Sequence, residues 1–228
     1  MAFDLNGFLL AAPVLLFSMV AHEYAHGYAA LKQGDTTAQD LGRLTFNPAK
    51  HIDPFMTVIL PVTLAFAGLP IFGGAKPVPV NPANYVHYKR GDIIVSLAGI
   101  ATNLCLALIC IPLVILVGLL GRSVPGIASS LAIFQLMLVQ GVVLNMVLAL
   151  FNLIPLPPLD GSHVFKYLLP QRLAILYQRL AGVGFLLLFA LLYFGNGILS
   201  WWFTPISIAF HKLQNLFDPY MLSNPFPQ

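Results

Sequence analysis

The sequence predicts an all-α polytopic membrane protein with about four transmembrane helices, a re-entrant or short helical segment and a small surface β-hairpin. Three observations predict it. Of 228 residues, 58% are hydrophobic and only 8% are charged, against roughly 25% charged in ordinary soluble domains, and the mean hydropathy is +0.84. Five stretches contain no Asp, Glu, Lys or Arg: Phe8 to Ala21, Pro54 to Ala75, Ile93 to Gly121, Ser123 to Leu159 and Leu180 to Phe210. All but the first exceed the roughly 20 apolar residues that cross a bilayer as a helix. The polar connections between them are short, so one membrane domain is expected over residues 1–228, with its core over about 8–165 and C-terminal helices over about 172–217.

The first helix reaches spanning length only if it runs on through "HEYAH" to Leu31. No Lys or Arg precedes residue 32, so the start is not that of a cleavable signal and the helix is expected to stay. Lys32, Arg43 and Lys50 then place its end on the cytoplasmic side. The connection from Leu31 to Asp53 combines turn residues with the β-tolerant "GRLTF" and is expected to form the hairpin. For Pro54 to Ala75, two paths are open. A single tilted crossing fits the length, whereas Pro61, Gly68, Pro70, Gly73 and Gly74 suit a broken segment that dips in and returns. Prolines 77, 79 and 82 then favour an extended loop.

Ile93 to Gly121 and the run ending at Asn152 read as two further spans. A last span is expected over roughly Val183 to Trp202, ending in an interfacial belt at Trp201 and Trp202, with "ISIAFHKLQNLF" lying along the surface as an amphipathic end. A net charge of +3 is the ordinary cytoplasmic-side excess of such a chain, and no basic cluster points to nucleic acid. Cys105 and Cys110 share one span at a spacing that does not put them on one helix face, so they predict neither a disulfide nor a metal pair.

Within the first helix, His22, Glu23 and His26 interrupt an apolar run. Ionisable side chains there cost about 2.5 to 3.5 kcal/mol each for the charged types, which makes them functional suspects. Residues four apart on a helix lie 40° from each other and neighbours lie 100° apart, so all three fall in one arc. Two imidazoles one turn apart can hold the same zinc ion, while Glu23 stays free as general base towards a water that the metal acidifies. The bland reading is that the three bond to each other or to neighbouring helices.

A third ligand is sought in "FNLIPLPPLDGSH", Phe151 to His163. Prolines 155, 157 and 158 cannot all continue a helix, and unwound backbone at membrane depth needs protein or a wet cavity around it. Asp160 is the candidate. It can complete a His, His, carboxylate set with one position open, it can instead cap the next helix, and His163 is the rival ligand. If His26 and Asp160 share a metal they lie at the same depth. The spans between them must then pair out and back, which favours the dip over the crossing for Pro54 to Ala75.

The motifs "HEYAH" and "NLIPLPPLDG" resemble those of the site-2 protease family of intramembrane zinc metalloproteases, His-Glu-x-x-His on one helix and Asn-x-x-Pro-x-x-x-x-Asp-Gly on a later one. Both fit without a gap and in order, with "SLAGIATN", Ser96 to Asn103, similar to the span usually found between them. The resemblance implies that His22, His26 and Asp160 bind one Zn²⁺ per chain, that Glu23 is the catalytic base and that Asn152 helps position the substrate. The chain departs from many relatives in that no PDZ or nucleotide-sensing domain is expected, so a minimal form is expected.

The expected function is zinc-dependent cleavage of membrane proteins within or next to a transmembrane segment. The expected partners are such substrates and the lipid bilayer, in the plasma membrane, with the site nearer the cytoplasmic side. The rivals are a membrane metal transporter or sensor, which has no need of Glu23, and an inactive relative that binds helices, which has no need of a complete ligand set.

Overall fold

The computed structural model describes residues 5–66 and 73–226. Its longer elements are α1 (Leu5–Lys32), α2 (Thr37–Asp40), α3 (Leu60–Phe66), α4 (Tyr88–Ser123), α5 (Ala128–Asn152), α6 (Asp160–Phe165), α7 (Gln171–Arg179), α8 (Gly184–Phe194) and α9 (Asn196–Phe217). Four helical stretches are long and apolar enough to cross a membrane: Asn6–Lys32, Tyr88–Ser123, Pro125–Asn152 and Gln171–Phe194. The chain is therefore an all-helical membrane protein among its described residues. The expected last span, Val183 to Trp202, is two helices instead, parted at Gly195. Trp201 is exposed, but Trp202 turns inward and donates its indole N–H to the Leu150 carbonyl at 2.9 Å.

Two compact units form, one of Met1–Ser18, Asn103–Leu148 and Phe203–Gln228, the other of Met19–Thr102 and Ala149–Trp202. In the first, Val114, Val117, Leu138 and Phe217 make a core. Buried Gln135 ties the C-terminal tail there: its Nε2 donates to the Val114 and Tyr220 carbonyls, and its Oε1 accepts from Leu222 N–H. Phe217 at the end of the expected surface helix is thus packed into protein.

The second unit carries the polar motifs. The expected β-hairpin over Leu31 to Asp53 does not form, and the described residues contain no strand. Local bonds take the backbone groups that a ladder would need. Arg43 N–H goes to the Ala38 carbonyl and Thr45 N–H to the Arg43 carbonyl, while the Thr45 carbonyl accepts from His51 Nε2 at 2.8 Å. The Arg43 guanidinium reaches across to the carbonyls of Lys76 and Pro77.

Pro54–Ile59 is a π-helix, capped by Asp53 through the Phe55 and Met56 N–H groups, and leads into α3. The two ends of this segment are fastened together. Lys76 N–H donates to the His51 carbonyl at 2.7 Å and Gly74 N–H to the Met56 carbonyl at 3.1 Å, and the Thr57 hydroxyl donates to the Gly74 carbonyl at 2.7 Å. These bonds bring the residues before and after the segment side by side; Gly68 and Pro70, expected to help break it, lie outside the described residues. The chain then runs extended to Asn81.

That extended stretch is anchored at Asp35, just beyond α1. Asp35 is fully buried and accepts from Thr37 N–H and hydroxyl, Asn81 N–H and the Asn84 amide. Burial pushes its carboxyl pKa up, and these donors outweigh burial and hold it below the ordinary value. With Asn81 fixed at Asp35, the residues before it lie along α1 as far back as Glu23.

Candidate metal centre

His22 and His26 are buried on α1, and their Nε2 atoms face each other at 2.9 Å with the rings edge to face. The Nδ1 of His26 donates to the Val95 carbonyl on α4 at 2.7 Å. A carbonyl only accepts, so Nδ1 carries a proton, and in the neutral ring Nε2 then presents a lone pair, the tautomer that metal-bound histidines adopt.

Asp160 arrives by a different route. α5 ends at Asn152 with Leu153 and Ile154 N–H groups returning to the Ala149 and Phe151 carbonyls. The prolines then forbid further helix, and Leu156 and Leu159 close tight turns on Ile154 and Leu156. Ile154 and Leu159 are held by burial against Leu188 of α8. Residue 161 must be Gly, because a Cβ would fall 2.3 Å from the Leu153 carbonyl oxygen. Asp160 therefore opens α6 at a fixed point.

Its Oδ2 stands 3.2 Å from His22 Nε2 and 3.3 Å from His26 Nε2. This oxygen is shielded from solvent and has no partner in hydrogen-bond geometry.

Three donor atoms thus converge, and among the described residues His22, His26 and Asp160 are the group that could hold a metal ion. The set fits zinc. Tetrahedral ligands at about 2.0 to 2.1 Å from the metal lie about 3.3 Å from one another, close to the separations found. Space for an ion is also kept open: Gly99 of α4 faces the site, and a Cβ there would lie 2.5 Å from His22 Cε1 and 2.6 Å from both Nε2 atoms.

Glu23 is half-buried beside the pair, and its Oε2 accepts the Val78 N–H at 2.7 Å. Asn152 ends α5 at the entrance of the loop to Asp160. His163 is turned elsewhere, its Nδ1 3.3 Å from Asp92 Oδ1. Sequence reasoning missed Val78, Val95 and Gly99. Two act through backbone groups and one through the side chain it lacks, and only Gly99, in "SLAGIATN", left a trace.

The sequence model of Peptidase family M50 matches residues 116–195. The Bacillus subtilis (strain 168) protein named "Putative zinc metalloprotease YwhC" is 39% identical over 178 residues, 78% of this chain and 77% of its own length. The chain belongs to peptidase family M50. As a member of M50, in line with the site-2 protease motifs, it is a metalloprotease. Two proteins named "Putative zinc metalloprotease Rip2" are also similar to this M50 chain. That of Mycolicibacterium smegmatis is 33% identical over 155 residues, 68% of this chain and 55% of that protein. That of Mycobacterium tuberculosis (strain ATCC 25618 / H37Rv) is 28% identical over 205 residues, covering 86% and 70%. No solved structure matches the chain.

Proposed function

We propose that this M50 protein cuts a peptide bond of a membrane protein within or next to a transmembrane segment, with one zinc ion held by His22, His26 and Asp160. The convergence of three donor atoms on a glycine-lined space beside a carboxylate carries this reading. Zinc held by His22, His26 and Asp160 would supply a Lewis acid for the scissile carbonyl and for an attacking water. Glu23 would act as general base towards the attacking water and as general acid towards the leaving amine. The Val78 N–H fixes one Glu23 oxygen, so the base keeps its direction. The Val95 carbonyl keeps the His26 imidazole in the binding tautomer. Asn152 helps position the substrate.

The Pro54 to Ala75 segment enters the bilayer and returns, and the centre lies nearer the cytoplasmic side of the plasma membrane. A substrate helix hides its carbonyls, so it unwinds locally before attack. The test compares membrane proteomes of cells carrying wild-type protein and Glu23→Gln. Single-pass proteins should accumulate uncut in the variant. Identical proteomes would refute proteolysis and favour metal transport, which has no step for Glu23.

A further inference from the structure

We infer that Asp92 is a positioning residue for the metal centre: it latches the segment that carries Asp160 to the helix that supports both histidines. The inference rests on the ligand set proposed above.

α6 by itself has little intrinsic stability. It has six residues and no side-chain cap at its start, and isolated helices of that length are unstable. A proline-rich loop precedes it. Yet Asp160, its first residue, has to meet two imidazoles from another helix to within a few tenths of an ångström, since metal–ligand distances tolerate about 0.2 Å.

The packed loop fixes Asp160 from the side before it, and Asp92 supplies the constraint on the side after it. It is buried on α4, 3% exposed, and gathers three donors from the turns directly after Asp160. Lys166 Nζ lies 2.6 Å from its Oδ2, the Tyr167 hydroxyl donates to the same oxygen at 2.7 Å, and His163 Nδ1 stands 3.3 Å from Oδ1. Lys166 and Lys89 also lie over the Tyr167 ring, at 5.0 Å and 5.3 Å from its centroid. The charge of Asp92 is thereby paired and both oxygens are engaged, as a buried carboxylate requires.

The same face of α4 serves the histidines. Asp92, Val95 and Gly99 recur at intervals of three and four residues, so they lie on one stripe of the helix. Val95 accepts from His26, and Gly99 abuts both imidazoles. One stripe of a continuous helix therefore sets the distance between the α1 ligands and the α6 ligand. Nothing in the proteolytic chemistry uses Asp92, His163, Lys166 or Tyr167 directly, which leaves their convergence unexplained by the active site alone.

The test uses purified full-length protein with zinc and cobalt(II) as probes, and no substrate. Zinc affinity is read by competition with a chelator and ligand geometry by the visible spectrum of the cobalt form. Outer partners of metal ligands typically contribute 10-fold to 100-fold in affinity, so Asp92→Asn should weaken zinc about that much and change the cobalt spectrum, with partial recovery in Asp92→Glu. Tyr167→Phe, which keeps the Lys166 pair, should weaken zinc by about 2-fold to 10-fold and change the spectrum in the same sense; it decides the matter if Asp92→Asn does not fold. Variants that lose thermal stability while keeping wild-type zinc affinity and cobalt spectrum would overturn the latch and leave Asp92 a plain structural ion pair. Zinc binding at wild-type affinity in His22→Ala and in His26→Ala would instead overturn the ligand set itself.

Discussion

A single methyl group at residue 99 should separate metal binding from folding. In Gly99→Ala the new Cβ would stand 2.5 Å from His22 Cε1 and 2.6 Å from the Nε2 atoms of His22 and His26, where ordinary contacts begin at about 3.5 Å. Relief requires a displacement of roughly 0.9 Å, several times the 0.2 Å or so that metal–ligand distances tolerate. Both histidines are affected at once, so zinc affinity should fall at least 100-fold, or about 2.7 kcal/mol. The metal-free protein feels far less. Its imidazoles can swing aside at an off-rotamer cost of about 0.5 to 1.5 kcal/mol each, partly offset by up to about 1 kcal/mol from replacing Gly by Ala in a helix. The assay pairs chelator competition with thermal unfolding of the metal-stripped protein. Near wild-type unfolding with zinc binding lost is the expected result. Wild-type zinc affinity in Gly99→Ala would refute the claim that both Nε2 atoms must occupy the space this glycine keeps open.

Glu23→Gln should retain zinc in metal analysis while proteolysis stops, because it removes the base and spares the ligands, whereas Asp160→Ala should lose most of both. His163→Ala should still fill with zinc at saturating metal, and an empty site there would hand the ligand role to His163. Cysteines introduced at Thr45 and Lys76 should label with an impermeant reagent from the same side of the membrane, as the bond between Lys76 and His51 demands; labelling from opposite sides would refute the returning path. The folded pKa of Asp35 is depressed, so its contribution is complete above the unfolded carboxylate value of about 3.9 and is lost as pH falls through the folded value. The gap in thermal midpoint between wild type and Asp35→Asn should be constant above about pH 5 and shrink below it; a gap that widened in acid would contradict the donor count around Asp35.

Local patterns were readable because their physics is local. Helical periodicity alone puts His22, Glu23 and His26 on one face, uncharged runs alone imply membrane helices, and Pro155, Pro157 and Pro158 alone end α5 before Asp160. The failure over "GRLTF" has the opposite cause. Its β-tolerant residues set a weak preference, which turn bonds around Arg43 and Thr45 and the reach of Arg43 to Lys76 override.

What the tertiary structure decided is the set of contacts that hold the site together across long stretches of sequence. Val78 lies 55 residues from Glu23, Val95 lies 69 from His26, and Asp92 lies 71 from His163; no spacing rule reaches across such loops. Two of these contacts are also made by backbone atoms, which every residue type possesses, so no letter in the sequence marks them. The sequence by itself determined which side chains are chemically able to hold and use a metal. The folded α4, by bringing Asp92, Val95 and Gly99 onto one stripe, decided that histidines from α1 and an aspartate from α6 meet at a single point.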